Sequence, residues 1–323
     1  MRDYVLGLDI GGTKIAVGIL DGNDKLIGRT QFSAKAGESP EMVFTLLMSS
    51  IDELLKRYDL AKDDISSIGV GVPGIISSDA RSVLFAPNIS ILNSFDIYGS
   101  LKAEFPDAFI VIENDANCAG YAEYKAGSGL GRKNMIYCTI STGVGGAIII
   151  NGDLFRGSNM VAGEIGHMII HPGGRLCGCG NKGCAEAYAG GANYPRYIKE
   201  CLDNGRKSII SELAKEHGKI DGEVLSKAID MADPFALEVF NEITETIGLL
   251  FFNIYKLLNI DCYVLGGGFT NVGEKLFNGI REHFEKYRVG TDTHDRVDFI
   301  PAHFPSSEIG IYGAALVAKY YKP

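Results

Sequence analysis

The sequence predicts an α/β protein of two lobes, and three observations lead there. Apolar strand-like stretches alternate with amphipathic helical ones along the chain. A glycine-tipped pair of strands near the start recurs, turn included, 130 residues further on. The 323 residues suffice for two domains, each with its own core.

Residues 4–8 and 15–20 read as strands flanking Asp9-Ile10-Gly11-Gly12-Thr13-Lys14, and Asp21-Gly22 is a hairpin turn signal. The pattern returns as an apolar run at 135–140, then Ser141-Thr142-Gly143-Val144-Gly145-Gly146, a second run at 147–150 and the turn Asn151-Gly152. Such a duplication suggests two lobes that each open with a glycine-tipped hairpin, although such hairpins also arise independently. Ser39 as N-cap and Pro40 at the first helical position start a helix that places Leu47, Ile51, Leu54, Leu55 and Tyr58 on one face. Asp233-Pro234 starts a longer helix with a buried stripe of Ile243, Ile247, Leu250, Ile254 and Leu257. Strands at 67–72, 109–112 and 261–265 separate the helices. The lobe boundary falls near residue 120. This gives an N-terminal lobe 1–120 and a C-terminal lobe 121–302, with the last helix, within 303–323, packing back on the first lobe.

Charge narrows the partners. The net charge is −9, from 31 basic and 40 acidic side chains, and no basic run stands out, which speaks against a nucleic-acid surface. Met1-Arg2-Asp3 leads at once into a strand without the features of an export signal. The apolar segment 247–260 is broken by Asn253 and Lys256 and is too short to span a bilayer. A cytoplasmic protein is expected. Of seven cysteines, three fall within eight residues, and in a reducing compartment that points to metal before disulfide. Cys118, Cys138, Cys201 and Cys262 lie in apolar surroundings and read as core.

The glycine segments carry the first chemistry. Gly11, Gly12, Thr13 and Lys14 offer backbone N–H groups and a hydroxyl to phosphate oxygens, and Asp9 at the strand end can hold Mg²⁺ directly or through water. The segment is not a Walker A loop, because Thr13-Lys14 stands where Lys-Ser/Thr belongs; Ile148 similarly breaks a dinucleotide fingerprint at Gly143 and Gly145. Thr142, Gly143 and Gly145 suit the same phosphates. Gly267 and Gly268 follow a strand and let a nucleotide base or ribose lie close to the backbone. Each loop alone reads slightly better as a tight turn, but three at strand ends favour nucleotide binding.

Glu113-Asn114-Asp115-Ala116-Asn117 follows an apolar strand. Phosphoryl transfer to a hydroxyl needs a carboxylate to take the proton and amides to orient the acceptor, so Asp115 is the candidate base and Asn114 a substrate contact. The alternative is that Asp115 caps the helix starting near Ala116.

His167, Cys177, Cys179 and Cys184 form H-x9-C-x-C-x4-C, a donor set for tetrahedral structural Zn²⁺ with no open position. His171 competes with His167 for the fourth place, and buried free cysteines are the other alternative. A metal-held imidazole presents its second nitrogen in a fixed direction, where with Glu164 and Glu186 it can meet substrate hydroxyls.

The stretch 163–186, the Asp9–Lys14 segment and the Glu113–Asn117 segment resemble the ROK family of repressors and sugar kinases. The resemblance runs from Asp9 to the glycines near residue 268. It implies two ribonuclease-H-like lobes of the actin/hexokinase type around a central cleft, ATP and Mg²⁺ as cofactors, a hexose substrate, and often a homodimer with its surface on the C-terminal lobe. It supports Asp115 as base and makes Asn114, Glu164, His167 and Glu186 sugar contacts, with Gly74 and Asn88 added. ATP-dependent phosphorylation of a hexose at its 6-hydroxyl is the expected reaction, as in glucokinases; residues 87–101 are also similar to D-allose kinases. The usual small-Ser-Gly after the glutamate is replaced here by Ala189-Gly190-Gly191. A sugar sensor without catalysis is the alternative. A DNA-binding repressor is disfavoured by the acidic charge and by a first strand that begins near residue 4.

Overall fold

The computed structural model describes residues 3–34, 39–86, 89, 95–288 and 296–320. In chain order the elements are β1 (Tyr4–Ile10), β2 (Lys14–Leu20), β3 (Leu26–Ser33), α1 (Pro40–Arg57), β4 (Ile65–Val72), β5 (Ile75–Ile76), β6 (Val83–Phe85), α2 (Ile97–Glu104), β7 (Phe109–Asn114) and α3 (Asp115–Ala126). Then follow β8 (Met135–Ile140), β9 (Val144–Ile150), β10 (Asp153–Leu154), α4 (Glu186–Ala189), α5 (Tyr194–Asp203), α6 (Ile210–His217), α7 (Gly222–Asp230), α8 (Pro234–Leu258), β11 (Cys262–Gly266), α9 (Glu274–Tyr287), β12 (Asp298–Pro301) and α10 (Ile309–Tyr320). The chain divides into two compact units. One comprises Met1–Lys133, Ala147–Gly163 and His303–Pro323, the other Asn134–Gly146 and Glu164–Ala302.

Each half of the mixed α/β fold is built on a five-stranded sheet. The first has the order β3-β2-β1-β4-β7 and the second β10-β9-β8-β11-β12. The orders are equivalent, so the recurrence in the sequence corresponds to a repeated sheet. In the first, β1 and β2 form an antiparallel hairpin while β1, β4 and β7 run parallel. Strands buried on both faces need continuous apolar runs, and Val70, Val72, Ile110 and Ile112 supply them.

Helix caps follow the sequence closely. Ser39 Oγ accepts from Met42 N at 3.3 Å with Pro40 at the first position of α1, and Asp233 accepts from Ala236 N at 2.8 Å to start α8. Two stripe residues differ from expectation. Tyr58 is the half-exposed C-cap of α1 rather than a core residue. Leu257 is 80% exposed, because it lies in the last turn of α8, beyond Tyr255, whose ring meets Phe284 edge-on at 5.5 Å. Cys118, Cys138 and Cys262 are buried as expected, but Cys201 is only half-buried, near the end of α5.

The last helix, α10, packs on β1, β4 and α3. The approach is close enough to demand glycine on both sides. A Cβ at Gly69 would lie 1.8 Å from Ala314 O, one at Gly7 2.1 Å from Ile311 O, and one at Gly313 2.0 Å from Cys118 O. These obstacles are backbone and cannot rotate away. Gly69→Ala is therefore expected to cost about 3 kcal/mol, read as a fall in the urea midpoint with an unchanged slope. Glu123 fastens the chain entering α10. Its buried carboxylate accepts from Ser128 N, His303 N and Phe304 N at 2.9, 3.0 and 2.9 Å.

Candidate active site

The parallel strands of the first sheet end in register. Asp9 of β1 pairs with Gly71 of β4, and Gly71 pairs with Glu113 of β7. The carboxyl edge of a parallel sheet is where open α/β folds place ligands. Here it carries Asp9, the β1–β2 tip and the Glu113–Asp115 turn. At the tip Gly11 N donates to Lys14 O at 2.9 Å, and Ala34 N donates to Thr13 O at 3.0 Å. Asp9 is raised above the usual carboxylate range by burial, which the Lys14 cation opposes. Gly310 in the first turn of α10 lies against it, since a Cβ there would sit 2.4 Å from the Asp9 carboxylate.

The raised Asp9 has a sign. A folded-state acid with an elevated pKa binds its proton more tightly than the unfolded chain does, so stability falls as pH rises above 3.8. At pH 7 the charged group costs stability. Asp9→Asn is expected to raise Tm by about 1 to 3 °C, which calorimetry checks.

The turn after β7 is held from several sides. Asn114, not Asp115, is the N-cap of α3: its Oδ1 accepts from Ala116 N at 2.9 Å and Asn117 N at 3.2 Å. This corrects the reading of Asp115 as the cap, and the reason is geometric. Asn114 keeps extended backbone at φ −63° and ψ 141°, as a cap requires, while Asp115 is already the first helical residue. Asn114 Nδ2 donates to Gly74 O at 3.2 Å, which places both substrate-contact candidates together. Gly74 must be glycine, because a Cβ would lie 2.2 Å from Phe85 O. Asp115 Oδ1 accepts from Ala116 N at 2.8 Å. Asn88 lies outside the described residues.

In the second unit the loops lie at the ends of β8 and β11, where Gly266 pairs with Thr139. Gly267 has φ +88°, and a Cβ there would lie 2.3 Å from Ile140 O; at Gly268 one would meet nothing within 4 Å. Thr142 is exposed, and Gly143 and Gly145 are half-buried. The loop is tied to the 186–192 segment: Gly191 N donates to Ser141 O at 2.8 Å, Ala192 N to Thr142 O at 2.9 Å, and Val144 N to Glu186 Oε2 at 2.9 Å. The sequence singled out Glu186 only as a substrate contact; its bond to Val144 has no local signal.

His167, Cys177, Cys179 and Cys184 converge, with all four donor atoms within 4.8 Å of one another. His167 Nδ1 is 3.6 Å from Cys177 Sγ, and Cys179 Sγ is 3.7 Å from Cys184 Sγ. Tetrahedral zinc, with bonds of about 2.3 Å to sulfur and about 2.0 Å to nitrogen, needs edges of about 3.5 to 3.8 Å. The donor set fits. His171 is excluded as the fourth ligand. Its Nε2 meets Thr246 Oγ1 at 2.9 Å, and that hydroxyl donates onward to Glu242 O at 2.7 Å, so the imidazole is committed to α8. His167 turns Nε2 toward Glu164, 3.9 Å from its Oε2. Glu186 Oε1 accepts from Cys177 Sγ at 3.7 Å, so one carboxylate touches both the cluster and the Thr142–Gly145 loop.

One further residue escaped the sequence reading. Arg156 Nε donates to Glu113 Oε2 at 2.6 Å in a buried ion pair. The partners are 43 positions apart, and only the following Gly157, at φ +69°, marks a shaped turn there. Among the described residues no helix is long and apolar enough to cross a membrane.

The chain is similar to known proteins along most of its length. The sequence is 32% identical over 285 residues to a glucokinase of Halalkalibacterium halodurans, covering 88% of this chain and 86% of that protein. It is 32% identical over 316 residues to an N-acetylmannosamine kinase of Yersinia pestis, covering 97% and 98%. Its fold is similar to that of a ROK family glucokinase from Streptomyces griseus solved in complex with glucose and AMPPNP, with a TM-score of 0.79 at 29% identity over 98% of this chain and 99% of that one. The ROK family pattern matches residues 5–320. The chain belongs to the ROK family.

Proposed function

We propose that this chain transfers the γ-phosphoryl group of ATP to the 6-hydroxyl of a hexose. It is an ATP-dependent sugar kinase, and Asp115 is its catalytic base. The observation that carries the reading is the register of the first sheet, which puts Asp9, the glycine tip and the Asp115 turn on one carboxyl edge. A glucokinase relative and the structural neighbour with glucose and an ATP analogue support both substrates.

The steps follow from the side chains. Asp115 accepts the proton of the sugar hydroxyl as its oxygen attacks the γ-phosphorus, and the leaving ADP takes the P–O bonding pair. Asp9 would hold the Mg²⁺ of Mg-ATP, an ion that neutralises charge on the transferring phosphates. Gly11, Gly12, Thr13 and Lys14, with Thr142, Gly143, Gly145, Gly267 and Gly268, bind the nucleotide through backbone groups, the Thr hydroxyls and the Lys14 cation. Gly74, Asn88, Asn114, Glu164, His167 and Glu186 contact the sugar. His167, Cys177, Cys179 and Cys184 would hold a structural Zn²⁺, and His167, so held, would keep its Nε2 in a fixed direction. The enzyme works in the cytoplasm as a homodimer.

Substrate choice is the finer part. Relatives named for glucose and for N-acetylmannosamine both favour a pyranose hexose. The similarity to allose kinases rests on residues 87–101, of which 87, 88 and 90–94 lie outside the described residues. The test is ADP release from Mg-ATP across about a dozen hexoses and amino sugars. One sugar is expected to lead in kcat/KM by about tenfold or more, and its 6-deoxy analogue to be inert. A flat panel from zinc-loaded protein would replace the kinase reading with that of a sensor.

A further inference from the structure

One buried thiol feels the charges of three carboxylates and one guanidinium. Cys118, on α3, is pushed up by burial first and then by the charges of Glu113, Asp115 and Asp9, while Arg156 opposes them. Asp9 comes from β1 with Lys14 acting on it, Glu113 from β7, Asp115 from α3, and Arg156 from the stretch after β10. Arg156 is the cation of that group, and it bonds to Glu113.

We propose that Arg156 is a positioning residue for phosphoryl transfer, acting through its buried ion pair with Glu113 to fix the turn that presents Asp115. The inference rests on Asp115 being the base. Glu113 is 1% exposed, and its carboxylate is engaged at both oxygens. Oε2 accepts from Arg156 Nε at 2.6 Å, while Oε1 accepts from Asn114 N and from Asn117 Nδ2, each at 2.9 Å. Asn114 and Asn117 bracket Asp115 in sequence, so one carboxylate grips the chain on both sides of the base. Asn117 Oδ1 is buried and finds no hydrogen-bond partner among the described residues. Turning that amide over would satisfy nothing, because it would set two oxygens against each other; its donor end is committed to Glu113.

Arg156 is itself anchored. Ala162 N donates to Arg156 O at 3.1 Å and closes the 156–162 loop, so the guanidinium leaves a fixed backbone. A pair needed only for stability could be replaced by well-packed apolar residues at little or no cost, because burying two charges is expensive. A pair that also sets the field and position of a base cannot.

The test uses Arg156→Gln, Glu113→Gln, the double variant Arg156→Gln with Glu113→Gln, and Arg156→Lys, with Asp115→Asn as control. Arg156→Gln leaves the Glu113 charge unbalanced near Asp115, so the acid limb of kcat against pH is expected to move up. Glu113→Gln removes a negative charge from beside Arg156 and Asp115, and the limb is expected to move down. Each single variant should lower kcat about 30- to 100-fold with both KM values changed less than about threefold. Arg156→Lys keeps the charge and should hold the limb at its wild-type pH. The double variant, a neutral hydrogen-bonded pair, should return the limb to near its original position even if a single variant folds poorly. Limbs that move in the same direction in both single variants, or wild-type kcat in Arg156→Gln, would overturn the inference. If Asp115→Asn turns over normally, the assignment of the base has failed instead; an inactive Asp115→Asn beside an unaffected Arg156→Gln sinks the positioning role alone.

Discussion

An Asp115→Asn variant is expected to bind sugar and Mg-ATP with near wild-type affinity and to lose about a thousandfold in kcat. Asparagine is nearly isosteric with aspartate, and its amide oxygen can still accept from Ala116 N as Asp115 Oδ1 does at 2.8 Å. The cap of α3 survives as well, because Asn114 supplies it. Removing one negative charge from the first turn costs only about 0.3 to 1 kcal/mol through the helix dipole, so Tm should fall by a few degrees at most. The remaining difference is chemical. An amide oxygen cannot take the hydroxyl proton at neutral pH, and the attacking oxygen then develops positive charge at the transition state. Calorimetric titration with sugar and with a non-hydrolysable ATP analogue measures binding, and ADP release measures turnover. Loss of binding in parallel with kcat would make Asp115 a substrate ligand; a kcat within tenfold of wild type would mean that proton removal is not its task.

What the sequence made legible was local. The Ser39 and Asp233 caps, the Asp21-Gly22 turn and the Asp9–Lys14 tip each follow from a few adjacent residues, because caps and turns are decided within one helical turn or one hairpin. The cysteine cluster was legible for the same reason, since three of its donors span eight positions. Choosing between His167 and His171 was not, because the decision depends on Thr246 of α8 capturing His171. The bond from Val144 N to Glu186 spans 42 positions and the ion pair of Arg156 with Glu113 spans 43. Neither leaves a periodic trace, since each depends on how separate elements pack. Leu257 shows the converse: its spacing continues the apolar stripe of α8, but exposure depends on what covers the helix end. The repeated sheet order was visible only through its glycine-tipped hairpins, because strand order itself leaves no local mark in the sequence.

Stripping the proposed zinc, or replacing Cys184 by Ser, is expected to disable nucleotide handling as well as the cluster itself. Cys184 is fully buried and lies two positions before Glu186. Glu186 accepts from Val144 N, and Gly191 and Ala192 donate to Ser141 and Thr142, so the knuckle is continuous with the segment that holds the Thr142–Gly145 loop. Without the ion, burial pushes the Cys177 thiol up to about 12 and raises Cys184, while the backbone N–H of Asn181 lowers Cys179. The ion must therefore displace protons from Cys177 and Cys184 at neutral pH. Its affinity should rise by about tenfold per pH unit for each proton displaced, and fall correspondingly on acidification. Incubation with a chelator at pH 5.5 is expected to remove one zinc per chain, with far slower loss at pH 8. The stripped protein should melt about 10 °C lower or more, since structural zinc binding adds directly to folding free energy. Metal content by mass spectrometry, melting temperature and hydrogen exchange across residues 141–146 give three readouts independent of turnover. Protein that carries no zinc yet shows native exchange protection in that loop would leave the four ligands as packed thiols and an imidazole. Full protection lost only on metal removal would make the cluster the foundation on which the second glycine loop is built.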